Sequence, residues 1–224
     1  MPSLKESLLE EVRARVGDDP GHDLGHLLRV ALWAVRLGGD DVDPTEAATA
    51  GLLHDIVNVR KDSPERAKAS ELCAAEAREM LNRHGFVPDA IERICAAIRD
   101  HSYTRGAVPA TPLGRALQDA DRLEALGAIG VLRAVSCGTR MGSTYFDPDD
   151  PWAEDRTLED RRWMIDHFFV KLLKLAGTMT TEAGRREADW RTEFLRVFLR
   201  QLGEELGRPA RIEGSGTRGS DLGL

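Results

Sequence analysis

The sequence predicts an all-α fold, a helical bundle, on three observations. Apolar residues recur at three- and four-residue spacings along most of the chain. No run of alternating β-branched residues marks a strand. Capping residues and prolines open, and glycines close, successive segments of helical length.

The elements follow in order. "SLKESLLEEVRARV" is an amphipathic helix over about 3–16, stopped by Gly17-Asp18-Asp19-Pro20. A second helix begins near Asp23 and runs to Leu37, with Leu24, Leu27, Leu28, Ala31, Leu32 and Val35 as its apolar face, and Gly38-Gly39 ends it. Asp43-Pro44 supplies an N-cap and a first-position proline for a third helix carrying "EAATAGLLHDIV", whose small residues permit close packing. Helices from Pro64 to His84, stopped by Gly85, and from Pro88 to about His101 come next. Pro112 opens "LGRALQDADRLEALGAIGVLRAV", broken near Gly127, and "GTRMGSTYFDPDDPW" reads as a loop. Two long helices, about 157–175 and 178–206, complete the bundle. The expected organisation is one domain over 1–212, with a core of about 20–135 and the C-terminal helices of about 157–206, followed by a disordered tail at 213–224.

Composition narrows the function classes. Of 224 residues, 42% are hydrophobic and 31% charged, as in a soluble chain with a real core. A net charge of -7, with 26 Arg and 5 Lys scattered among acids, gives no footprint for nucleic acid. Cys73, Cys95 and Cys137 are too few and too widely spaced for a disulfide framework or a thiolate zinc site. With no signal-peptide pattern and no uncharged run of spanning length, the expectation is a cytoplasmic protein without a membrane partner.

The stretch "GLLHDIVNVRK" raises the functional question. His54 and Asp55 interrupt an apolar run, and charges taken out of water need partners or a metal. Neighbouring helical side chains point about 100° apart and converge only on something lying between them. His26 and Asp121 stand in apolar surroundings elsewhere. Together His26, His54, Asp55 and Asp121 offer two imidazoles and two carboxylates, a set suited to one octahedral divalent ion with two positions left over. Structural ion pairing is the competing reading. A protease reading of "HDLGH" is poor, because position 23 is Asp rather than Glu and serves better as a helix N-cap, leaving His22 outside the helix.

The order His26, then His54-Asp55, then Asp121 resembles the H…HD…D signature of HD-domain metal-dependent phosphohydrolases. "HDLGHLLRV", "LLHDIVN", "DSPERAKAS", "AIRDHSY", "QDADRLEALGAIG", "RMGS", "FDPDDP" and "DHFFVKLLKL" resemble, in order, the bacterial branch typified by the YpgQ and YedJ proteins, over roughly residues 20–205. The resemblance implies an HD-domain helical bundle and one divalent metal, with Mn2+ ahead of Ni2+, Fe2+, Mg2+ and Zn2+. It also implies a small-molecule nucleotide as substrate. The expected activity is hydrolysis of (deoxy)nucleoside triphosphates to monophosphate and pyrophosphate by metal-activated water. The alternatives are a nucleotide phosphomonoesterase and a non-catalytic metal- or nucleotide-binding regulatory domain. A cyclic-dinucleotide phosphodiesterase is disfavoured by the lack of a GYP block.

Further residues follow from the chemistry. A site with two anionic ligands nearly neutralises a divalent ion, so other cations must hold the phosphates. Arg60, Lys61, Arg122 and Arg140 are the candidates, Lys61 on the strength of the family block and Arg60 with a solvated turn as its alternative. His22 and His101 are candidates for phosphate binding or proton transfer, with helix-terminal hydrogen bonding as the alternative. The expected catalytic set is His54, Asp55, Lys61 and His101. Asp119 points away from Asp121 on a helix and is excluded, while Glu124, one turn on, suits a supporting position. Residues 139–150 suggest a substrate-side lid or a homodimer contact. Trp163, His167, Phe168 and Phe169 suggest core packing ahead of a homodimer face.

Overall fold

The protein is described by a computed structural model, which covers residues 5–17, 23–57, 59, 68–102, 106, 108–210 and 212. Among these there are nine α-helices and no strands: α1 Glu6–Arg15, α2 Leu24–Gly38, α3 Pro44–Leu53, α4 Ala69–Arg83, α5 Pro88–Asp100, α6 Pro112–Leu123, α7 Gly127–Arg140, α8 Met164–Val170 and α9 Glu182–Glu205. The expected all-α architecture is what the chain adopts.

The helix starts are set by side chains that satisfy backbone N–H groups lacking intrahelical partners. Asp23 accepts from the His26 N–H at 2.7 Å, and Asp43 accepts from those of Thr45 and Glu46 ahead of α3, with Pro44 at its start. Thr111 and Thr181 cap α6 and α9 in the same way. Gly127 adopts φ +67°, a left-handed conformation that costs glycine little, and so α7 can start afresh with only three residues between it and α6.

Helix α2 lies at the centre, packed on α3 and α6, while α5 packs on α3, α4 and α6. Its buried stripe is Leu27, Val30, Ala31, Ala34 and Leu37, rotated from the expected face; Leu24, Leu28 and Val35 are only partly buried. The cause is close approach to α3. A Cβ added at Gly51 would lie 2.5 Å from the Ala31 Cα, so the two backbones meet where neither carries a large side chain. A core of Leu8, Val12, Leu52, Leu53, Ile94, Ile98, Leu117, Leu123 and their neighbours fills the space between the helices.

Three segments depart from expectation. Helix α3 ends at Leu53, so His54 is its C-cap and Asp55 lies in the following turn. The fourth helix is seen from Ala69; its expected start at Pro64 lies outside the described residues, as does the tail at 213–224. The expected helix over 157–175 is a loop, the short α8 and a 3-10 segment, Leu172–Thr178. Buried Asp166 explains the loop. Its carboxylate takes two hydrogen bonds from Arg156, at 2.6 and 2.8 Å, and one from the Glu159 N–H, holding 156–159 out of helical register. Phe168 is buried and stacks on Phe198 at 5.8 Å, and Trp163 is also buried, so these two residues of the aromatic run are core, while His167 and Phe169 are half-buried.

Gly51→Ala should destabilise the fold by about 1–3 kcal/mol, because an added methyl forces α2 and α3 apart. Urea unfolding measures this; a loss below about 0.5 kcal/mol would mean that the helices separate without penalty.

Candidate metal centre

The ends of three helices meet at one point. His54 follows α3, His101 is the C-cap of α5, and Asp121 stands in the last turn of α6. The carboxyl ends of helices carry partial negative charge, so this convergence favours a cation before any side chain is counted.

The side chains complete the arrangement. His54 donates its Nδ1 hydrogen to the Gly51 carbonyl at 2.8 Å, and His101 likewise donates to Ile98. A carbonyl can only accept, so in each neutral ring Nε2 keeps its lone pair. His54 Nε2 is buried and has no hydrogen-bond partner among the described residues. It lies 3.6 Å from Asp55 and 3.7 Å from Asp121, distances too long for hydrogen bonds, while His26 Nε2 lies 3.8 Å from the same Asp121 oxygen. The His54 ring sits 5.1 Å from both the His26 and the His101 rings. Two overlapping sets result, His26, His54 and Asp121, and His54, Asp55 and His101, each with ligand atoms within 4.8 Å of one another. The three rings are buried, whereas Asp55 and Asp121 retain 26% and 27% of their side-chain exposure. The site is therefore a cup with an imidazole floor and a carboxylate rim.

This donor set fits a divalent ion of borderline hardness, since imidazole and carboxylate together suit Mn, Fe, Ni and Zn. The charges agree. Burial pushes the His54 imidazolium pKa down, but the charges of Asp55 and Asp121 outweigh it and raise the value to about 9. Burial lowers those of His26 and His101. Although burial alone would raise Asp121, the His54 ring beside it holds its carboxyl well below the usual range. The protein alone thus keeps one positive charge at the spot where a cation would sit.

Around His26 lies a supporting set. Its Nδ1 is 3.2 Å from buried Glu124, the residue expected in that position, and Glu124 also takes a hydrogen bond from Arg29 at 2.9 Å. Arg133 Nη1 lies 2.7 Å from the same His26 nitrogen. Arg29 and Arg133 are absent from the sequence-based site. Arg29 was findable, one helical turn from His26. Arg133 reaches the site from α7, and no local spacing signals it.

The other candidates fall in different places. His101 joins the floor of the cup. His22, Arg60 and Lys61 lie outside the described residues. Arg122 donates to the Thr178 carbonyl, in the segment before α9. Asp119 is indeed elsewhere, buried and accepting hydrogen bonds from the backbone and hydroxyls of Thr180 and Thr181. Arg140 is exposed in the last turn of α7.

Residues 23–126, which contain the whole cup, match the HD domain family. The chain is 32% identical over 217 residues to YpgQ, an uncharacterized protein of Bacillus subtilis, spanning 92% of this chain and 96% of that one. The crystal structure of B. subtilis YpgQ in complex with ADP superposes with a TM-score of 0.70 at 28% identity, covering 89% of this chain and 96% of that one. An HD-superfamily hydrolase from Bacillus thuringiensis gives a TM-score of 0.68 at 27% identity, covering 90% and 96%.

The raised His54 value has a consequence for metal loading. A cation held by His54 would have to displace its proton, so the apparent affinity should strengthen by about tenfold per pH unit from pH 6 upward and level off near pH 9. Calorimetric titration in buffers of differing ionisation enthalpy should show about one proton released per ion at pH 7.5. Affinity independent of pH over this range would remove His54 from the binding step.

Proposed function

The chain belongs to the HD domain family of metal-dependent hydrolases, and from that premise we propose that it hydrolyses nucleotides, cleaving (deoxy)nucleoside triphosphates to the monophosphate and pyrophosphate. His26, His54, Asp55 and Asp121 would hold one divalent ion, Mn2+ by first choice, and His101 stands next to them. The observation that carries this reading is the buried His54 Nε2, which faces two carboxylates at distances too long for hydrogen bonds. A purely structural His-Asp pair would close those gaps. The complex of YpgQ with ADP supports a nucleotide as substrate.

When bound, such an ion supplies Lewis acidity toward a phosphoryl oxygen and makes water more acidic. The protein's own groups do the remainder. Asp55 and Asp121 balance the ion's charge from the open side of the cup, where substrate must approach. That balance leaves little net attraction for a polyphosphate, so cations outside the cup bind it. Lys61 and Arg140 are the residues we assign to this task. His101, with Nδ1 committed to the Ile98 carbonyl, offers Nε2 as its one position for taking up or releasing a proton. The buried floor formed by the three rings keeps bulk water from one side of the reaction.

The register of the substrate decides the products. With the α-phosphorus at the cup, dGTP gives dGMP and pyrophosphate in one step; with the γ-phosphorus there, it gives dGDP and phosphate. Chromatography of the earliest products from dGTP with Mn2+ should show dGMP and pyrophosphate. Initial dGDP with free phosphate would overturn the pyrophosphohydrolase assignment.

A further inference from the structure

Helices α7 and α8, with the loop before α8, enclose a cleft of about 320 Å³, near the lower limit for sites that hold small ligands. Arg133, Arg161, Lys171 and His167 line it. Among its described lining residues the one carboxylate is Asp160, which already faces His167 Nδ1 at 3.0 Å. Met164 and Leu172 supply an apolar wall. That wall is fixed against α7, since a Cβ at Gly138 would lie 2.5 Å from the Met164 Cγ. Cationic side chains beside an apolar wall select an anion with an apolar part, which describes a phosphorylated small molecule such as a nucleoside monophosphate.

Arg133 belongs to this cleft and to the metal centre at once. Its guanidinium lies 2.7 Å from His26 Nδ1, and Glu124 lies 3.2 Å from the same nitrogen. The two neighbours make opposite demands. An arginine can only donate, so it needs a lone pair on Nδ1, whereas an ionised Glu124 can only accept and needs a hydrogen there. When Nδ1 carries the hydrogen toward Glu124, the lone pair falls on Nε2, facing Asp121 and the cup. When Arg133 donates to Nδ1, the hydrogen of the neutral ring moves to Nε2 and points at the place a cation would occupy. Arg133 in contact with His26 therefore opposes cation binding. An anion in the cleft draws the guanidinium toward itself and relieves that opposition.

We infer that the cleft binds a phosphorylated small molecule, and that Arg133 makes this binding and cation binding at His26 favour one another. The coupling rests on reading the cup as a metal centre; the cleft itself does not. Because coupling is reciprocal, the cation must also tighten the anion.

The test uses AMP as the probe and calorimetry on the full-length protein. In EDTA, the wild type should bind AMP, and the Arg161→Ala/Lys171→Ala variant should bind it about tenfold more weakly with an unchanged melting temperature. Saturating AMP should tighten Mn2+ binding to the wild type by about five- to tenfold and leave that of the variant unaltered. Arg133→Met should bind Mn2+ at least as tightly as the wild type and lose the response to AMP. Equal AMP affinity in wild type and double variant, or no AMP binding in EDTA, would overturn the cleft site. Tightening of Mn2+ by AMP in the double variant would place AMP on the ion and overturn the coupling, as would its absence in the wild type. A wild type that binds no Mn2+ would instead fail the metal-centre reading, and the EDTA titration would still decide the cleft.

Discussion

Two hydrogen bonds from imidazole Nδ1–H groups to helix-terminal carbonyls, His54 to Gly51 and His101 to Ile98, constrain everything at the site. Each spans three residues, so it forms only where the helix stops and the side chain can fold back on the last turn. The bond satisfies an orphan carbonyl, fixes the ring plane and leaves Nε2 directed into the protein. Helix termination and ligand presentation are thus one event. Had α3 continued through His54, that carbonyl would have been taken by the backbone and the ring would have been free to rotate.

Electrostatics makes the arrangement favourable to a cation. Three helix carboxyl ends and two carboxylates meet in a space closed by buried rings. Repulsion between Asp55 and Asp121 is offset in the protein alone by a proton on His54. A divalent ion offsets it more completely and satisfies the ring nitrogens as well. Glu124 extends the same logic outward: buried, it is held ionised by His26 and Arg29 against the opposing effect of burial, and it orients His26. The Gly51–Ala31 contact sets the spacing at which these groups meet, since it fixes how closely α3 approaches the helix bearing His26.

Much of this was legible in the sequence, for identifiable reasons. Helix starts follow from Asp23 and Asp43-Pro44, whose caps act within three residues. The cluster of His26, His54, Asp55 and Asp121 was legible because polar groups in apolar sequence require partners, and the exclusion of Asp119 followed from helical geometry alone. The failures involve contacts between distant segments. Arg156 and Asp166 decide that 157–163 is a loop, and local periodicity does not register an ion pair. The rotated face of α2 reflects its neighbours' small residues. Arg133 arrives from another helix and leaves no local trace.

The claim on which the rest depends is that His26 and His54 both present Nε2 to a single cation. Electron spin-echo envelope modulation of the Mn2+-loaded protein measures this directly, since a nitrogen bound to manganese modulates the echo while carboxylate oxygen does not. Modulation from at least two directly bound imidazole nitrogens per Mn2+ is the predicted result. Stoichiometric Mn2+ with no directly bound nitrogen would contradict it, and would place the ion on the carboxylate rim alone.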